Sequence, residues 1–283
     1  MKTFLNKFPY LRHSIAMFLR KNMPKQWQLH IINRQLSKKR SQLNKEIKKK
    51  SVNFKNTINL NEKTIYSQNG EDGIIMFILD TIGITNKTFI EIGIGDGTEN
   101  NSANLIINEA WKGVLIDRVP EYLNLAKYYY TEKLKLDNSK IKFSLQNATR
   151  ESIDKTLVTL GITGEIDLLS IDIDGNDYWI WEAITTVKPR IVVIEYNGRF
   201  SETSSISTIY APESYTGNKH ESNLYHGASL TTLTKLAHKK GYNLVACESS
   251  GTNAFYVLKE ISQGLLPSLT PLEAFFPNQT LTF

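Results

Sequence analysis

Apolar residues along this chain fall into short blocks separated by polar turns, and the blocks alternate between two spacings. Residues 88–92, 113–116, 141–145, 166–173 and 190–194 are compact apolar runs that predict strands. The run 166–173 is almost continuously apolar, as expected of a central strand buried on both faces. Between these runs, helical spacing predicts helices over 74–82, 101–111, 120–130, 151–160 and 178–185. Pro120 falls near the first turn of its helix, where a missing N–H costs little. A further helix over 230–240 ends at Gly241, its C′ residue, and strands over 242–246 and 254–258 follow as a terminal pair. This alternation predicts an α/β fold, with a mostly parallel central sheet, an antiparallel terminal strand and helices on both faces.

Two segments lie outside the alternation. Residues 1–55 form a basic, helical N-terminal extension, a Thr/Asn-rich stretch from Asn53 to Asn61 reads as a linker, residues 56–262 form the main domain, and residues 263–283 a C-terminal tail without clear period. The formal charge of +6 conceals this division. Residues 1–50 carry 14 Lys/Arg and one acid, a net +13, whereas the remainder carries 20 Lys/Arg and 27 Asp/Glu, a net −7. Within the extension Phe4, Leu5, Phe8, Leu11, Ile15, Phe18 and Leu19 recur at helical spacing, the pattern of a surface-seeking helix. The extension is therefore expected to contact a membrane surface, an acidic partner or another subunit, or to pack on its own domain. No nucleic acid is expected as partner, because the acidic body would repel phosphates. No apolar run approaches the ~20 residues of a transmembrane helix, and Ile15 to Leu19 is too short for a signal sequence. A cytoplasmic location follows, with peripheral attachment to the inner membrane face as a variant. The single cysteine, Cys247, excludes an internal disulfide and reads as a small buried residue.

The chemistry is expected at the C-terminal strand ends, where open parallel sheets bind ligands. After the first predicted strand stands Glu91-Ile92-Gly93-Ile94-Gly95-Asp96-Gly97. Its glycines permit a tight turn and close approach of a ligand to the backbone. The dinucleotide fingerprint places glycines at offsets zero, two and five, but here the third falls at offset four and Thr98 at five. No Gly-Lys-Ser/Thr follows, which excludes a phosphate-cradling P-loop. Acids at Glu91 and Asp96 suit a nucleoside donor bearing a sulfonium and an ammonium, such as S-adenosylmethionine, better than a pyrophosphate. Asp117, at the end of the second strand, is positioned for ribose hydroxyls, and Asn147, after the third, for an adenine edge.

Acids also crowd the next strand ends, as Asp172-Ile173-Asp174-Gly175-Asn176-Asp177 and Glu195-Tyr196-Asn197. Like charges brought together there need a cation: the donor's own, a protonated substrate, or Mg²⁺ or another hard divalent metal. Helix capping by Asp174 or Asp177 with solvent exposure is the alternative. For proton removal from an acceptor the candidates are His220 and His226, within a polar stretch over 197–227 that reads as a functional or disordered loop, and Asp172. Ordinary loop histidines would look the same.

These segments, with Ser67-Gln68-Asn69-Gly70-Glu71-Asp72-Gly73, resemble class I methyltransferases, and the span from Ser67 to about Lys259 resembles the FkbM type. The resemblance implies a Rossmann-like methyltransferase fold and S-adenosyl-L-methionine as donor. It also implies O-methylation of a sugar, surface glycan or small natural product. Donor contacts would come from Gln68, Glu71, Glu91, Gly93, Gly95, Gly97, Asp117, Asn147 and Asp172. A divalent metal would sit on Asp172, Glu195 and Asn197. One departure is Asp174, where members of that family often carry Glu. An NAD-dependent oxidoreductase, a non-catalytic assembly protein on the same fold and a nucleic-acid methyltransferase are the rival readings. The last lacks an Asn/Asp-Pro-Pro-Tyr motif at the fourth strand.

Overall fold

The computed structural model describes residues 24–50, 56–213 and 225–278. The strands are β1 (Thr88–Ile92), β2 (Lys112–Asp117), β3 (Ile141–Leu145), β4 (Gly164–Ile171), β5 (Val187–Glu195), β6 (Tyr242–Cys247) and β7 (Asn253–Leu258). They form one seven-stranded sheet in the order β3-β2-β1-β4-β5-β7-β6. The first five strands run parallel, and β7 enters antiparallel between β5 and β6. The order reverses between β1 and β4, which opens a crevice above their C-terminal ends.

Strand alternation sends successive side chains to opposite sides of the sheet. Ile90, Ile92, Val114, Ile116, Leu169 and Ile171 join one buried cluster, while Phe89, Leu115, Leu168, Ile191 and Val193 join the other. The helices that cover the second cluster are α1 (Lys25–Lys50), α2 (Glu71–Ile82), α3 (Ala103–Glu109) and α4 (Pro120–Lys127). Helices α5 (Ile153–Thr159), α6 (Asp177–Ala183) and α7 (Leu230–Lys240) cover the first. Two single-turn helices, α8 (Lys259–Ser262) and α9 (Pro271–Ala274), complete the chain. Away from the crevice, Asp167 accepts from the amides of Thr85, Asn86 and Lys87 and pairs with Arg190 at 3.1 Å, tying the loop before β1 to the sheet.

Several elements extend beyond their apolar patterns. Helix α2 begins at Glu71 rather than 74, because Glu71 and Asp72 are buried in its first turn. The segment read as a linker contains a 3-10 turn, Thr57–Asn61, with Ile58 and Asn59 buried. Helix α4 continues as a π turn, Tyr128–Lys133, which buries Tyr129 and Tyr130. Helix α1 shares the domain's core: Leu29, Ile32 and Leu36 lie in the second cluster. Ala274, in the stretch without period, lies in the first. Residues 1–23, with the surface-seeking pattern, lie outside the described residues. No described helix is long and apolar enough to cross a membrane.

Candidate active site

The crevice holds two adjoining cavities of about 150 and 360 Å³, which share Gly93, Gly95, Tyr122, Asp172 and Asp174. The glycine loop forms their common floor, and two of its glycines have distinct jobs. Gly93 has φ +88°, and a Cβ there would stand 1.6 Å from the Asp172 carbonyl oxygen. Side-chain loss at this position lets β1 and the chain leaving β4 touch. Gly95 has φ +53° but faces open space, so no described residue requires its bare surface. Open space above a left-handed backbone is what a ligand lying on the loop would use. Gly97 lines neither cavity among the described residues and packs under Ala126 and Tyr130, whose hydroxyl donates to the Gly97 carbonyl at 2.8 Å.

The narrower cavity is the one above β2 and β3. Asp117 Oδ2 accepts from the Gly95 amide at 2.9 Å and Oδ1 from the Val119 amide at 2.7 Å. Burial pushes this carboxyl up, against the pull of those two amides. Asn147 lines the same wall and donates to the Pro212 carbonyl at 3.1 Å, while Asn176 donates to Ala211 at 2.8 Å. Part of the polar stretch 197–227 is therefore strapped to the cavity wall. Trp179 Nε1 holds it at the Thr208 carbonyl, and Arg150 stacks between the Trp179 and Tyr210 rings at 4.9 and 5.4 Å.

The wider cavity is lined by seven carboxylates, Gln68 and several small polar residues, with no Lys or Arg among the described residues. Its acids do different work. Glu91 accepts from the Asn101 and Ser102 amides and the Ser102 hydroxyl, so both its oxygens cap the start of α3. Glu71 accepts from the Asn69 amide at 2.7 Å and from Asn253 Nδ2 at 2.8 Å. Next to Glu71 but outside the cavity lining, Asp72 Oδ2 gathers the amides of Ile65, Tyr66 and Ser67 and the Ser67 hydroxyl. Together these bonds fold the Ser67–Gly73 segment so that exposed Gln68 stands at the cavity rim.

Asp172, Asp174 and Glu195 are the acids that converge: each offers a carboxylate oxygen, and these atoms lie within 4.8 Å of one another. Burial, and then the charges of Asp174 and Asp177, raise Asp172 well above the carboxylate range. Burial, and then Asp172, do the same for Glu195. Glu195 Oε2 is buried with no hydrogen-bond partner among the described residues. Asp174 adopts φ +59°, a left-handed conformation an Asp tolerates before a glycine, and this turn brings it to the trio. Asn197 is engaged differently: Oδ1 accepts from the Arg199 amide and Nδ2 donates to the His226 carbonyl, both at 3.0 Å. His226 is half-buried in the loop and lines neither cavity among the described residues, and His220 lies outside the described residues. Asp174, which belongs to the predicted acid cluster but not to the predicted metal ligands, and Asn253, which sequence grouping by strand end passes over, complete the wall. The Asp174-Gly175 pair, a turn signal, is what marks the first of them.

A parallel sheet closed by an antiparallel β7 between β5 and β6, with an acid ending β2 beside a glycine loop, is the Rossmann-like fold of class I methyltransferases. It departs from the dinucleotide fold, whose strands run 3-2-1-4-5-6. No family model and no curated protein matches the sequence. Solved structures similar in shape include the O-methyltransferase of Bacillus cereus, in complex with SAH. It has 14% identity and a TM-score of 0.45, over 77% of this chain and 91% of that one. Another is the magnesium protoporphyrin IX methyltransferase ChlM of Synechocystis PCC 6803, with bound SAM. It has 11% identity and a TM-score of 0.42, over 66% of this chain and 77% of that one. A SAM-dependent methyltransferase from Aquifex aeolicus matches at 14% identity and a TM-score of 0.38, over 65% of this chain and 88% of that one.

Proposed function

We propose that this protein is an S-adenosylmethionine-dependent methyltransferase that O-methylates a hydroxyl of a sugar, a surface glycan or a small natural product. The observation that carries the reading is the Asp117–Gly95 pairing in the cavity wall. It presents a carboxylate at the end of β2 to a ribose, directly beside a loop with open space above its backbone. The wider cavity supports the same donor, since seven carboxylates with no lining Lys or Arg among the described residues favour an ammonium and a sulfonium and oppose a pyrophosphate.

The bound donor supplies an electrophilic methyl carbon on sulfur. A bond forms from the acceptor oxygen to that carbon as the carbon–sulfur bond breaks, and the electron pair leaves with sulfur. The chain contributes alignment and charge placement. Asp117, Gly93 and Gly95 hold the nucleoside, Gln68 and Glu71 border the space for its amino-acid end, and Asp172, shared by both cavities and ionised once the donor's cationic charge lies beside it, receives the acceptor's proton. The orphaned Glu195 oxygen and its neighbours Asp172 and Asp174 fit a hard divalent cation. Such an ion would lower the pKa of the acceptor hydroxyl. Calorimetric titration with S-adenosylhomocysteine and, separately, with NADH tests the reading: heat of binding from the first alone is expected, and binding of NADH alone would overturn it.

A further inference from the structure

Helix α1 has two unlike faces. One is docked: Leu29, Ile32, Leu36 and Ile47 are buried, and Arg40 donates to the carbonyls of Tyr66 and Thr98 at 2.7 and 2.6 Å. The other carries Trp27, Ile31, Arg34, Lys38 and Lys45, whose spacing sets them in one row along the helix. Trp27 is 62% and Ile31 42% exposed, one turn apart. Arg34, Lys38 and Lys45 have no ion-pair partner among the described residues. The helix contains a single acid, Glu46, and ends in Lys48-Lys49-Lys50.

Charge decides what this face suits. Residues 1–23 hold five Lys/Arg and no acid, so they do not complement it. A second copy meeting it face to face would oppose cation to cation. An indole and an aliphatic side chain standing exposed beside a row of cations match a lipid headgroup layer. There the apolar pair enters the interface and the cations meet phosphate. The apolar positions between Phe4 and Leu19, at helical spacing just upstream, extend the same character. We propose that the exposed face of α1 docks the protein on an anionic phospholipid surface. The docked helix is bonded straight to the active-site loop through Arg40 and Thr98, and Lys39 pairs at 2.8 Å with Glu99 in the cavity wall. A membrane-held helix would thus keep the glycine loop next to the lipid.

Co-sedimentation of the full chain with vesicles tests this. One set is phosphatidylcholine alone, the other phosphatidylcholine with an equal share of phosphatidylglycerol. Wild type should bind only the anionic set and be released by salt. The triple variant R34E/K38E/K45E should lose about 100-fold in affinity, at about fivefold per cation. A second variant, W27S/I31S, should lose about 10-fold, and both should keep the wild-type melting temperature, because these side chains are exposed. Equal binding of wild type and the triple variant would place any attachment in residues 1–23 and overturn the proposal. So would failure of wild type to bind, displacement from vesicles by duplex RNA, or a dimer in light scattering that W27S/I31S dissolves.

Discussion

Asp117 fixes Gly95: the carboxylate accepts the glycine amide at 2.9 Å across the crevice, while its other oxygen accepts the Val119 amide at 2.7 Å. A single side chain thereby sets both the loop after β1 and the turn into α4. Each oxygen keeps a further lone pair for a ligand hydroxyl.

Asp117→Ala should therefore weaken S-adenosylhomocysteine binding by about 100-fold, the loss of two charge-assisted bonds of ~1.5 kcal/mol each. Thermal melting should show a cost of only about 1–2 kcal/mol, from the two amides left to find water. Calorimetry beside a melt separates the two effects. Unchanged affinity would remove Asp117 from the donor site.

Gly93 and Gly95 are two residues apart and should fail in opposite ways. In Gly93→Ala the new Cβ would meet the Asp172 carbonyl at 1.6 Å, so β1 and β4 must part. A loss of more than about 3 kcal/mol of stability is expected. In Gly95→Ala the Cβ meets nothing within 4 Å, leaving only the left-handed backbone cost of about 1–2 kcal/mol. Donor binding should nevertheless fall steeply, because the methyl group occupies the space above the loop. Comparable stability losses in the two variants would contradict this division.

The trio of Asp172, Asp174 and Glu195 carries repulsion that a cation would relieve. In metal-free protein Glu195→Gln should raise the melting temperature, since it removes a buried like charge with an orphaned oxygen. Methyl transfer should fall in the same variant. Wild type should be stabilised by added Mg²⁺ or Mn²⁺, and the variant much less so. Full activity of wild type after exhaustive chelation would dismiss a metal role.

The sheet was legible in the sequence because its strands are apolar enough to show without context. The runs 88–92 and 141–145 and the helix 230–240 end where β1, β3 and α7 end. Elements whose burial depends on distant partners were not. Thr57–Asn61 looks like a polar linker, yet Asn56 Nδ2 donates to the Val245 carbonyl at 2.9 Å and Asn59 Nδ2 to that of Cys247 at 2.7 Å. Glu71 and Asp72 read as loop residues because their buried carboxylates are matched by polar groups that apolar periodicity does not register, the nearby Asn69 and Ser67 amides and the distant Asn253 side chain. At the site, Gly93, Gly95, Asp117 and Asp172 follow from strand-end logic and do line the crevice, whereas Gly97 packs under Ala126 and Tyr130. Asp174 joins Glu195 through a left-handed turn, which periodicity cannot express.

Those matched but costly carboxylates also set a pH dependence. Glu248 is fully buried, and burial, followed by the charges of Glu71 and Glu62, pushes it up to about 8 from 4.5. Burial likewise pushes Glu62 to about 7, although Ser249 bonds its carboxylate. The folded state thus holds protons that the unfolded chain releases near 4.5. Where the folded state binds more protons, stability falls as pH rises. The fall should run from about pH 4.5 to about pH 8 and then level off. Carboxyls held low do not overlap this window: Asp167, which burial would raise but its hydrogen bonds hold down, loses its contribution only below 3.8. Melting temperature should therefore decline through the neutral range, and Glu248→Gln should flatten the decline. Above about pH 8 the variant should melt higher than wild type. That gain is set against one lost bond of ~1 kcal/mol, because an amide nitrogen cannot accept from the Ser250 amide. Scanning calorimetry at stepped pH reads both effects. A melting temperature that climbs with pH across the window would mean that Glu62 and Glu248 ionise in the fold without penalty.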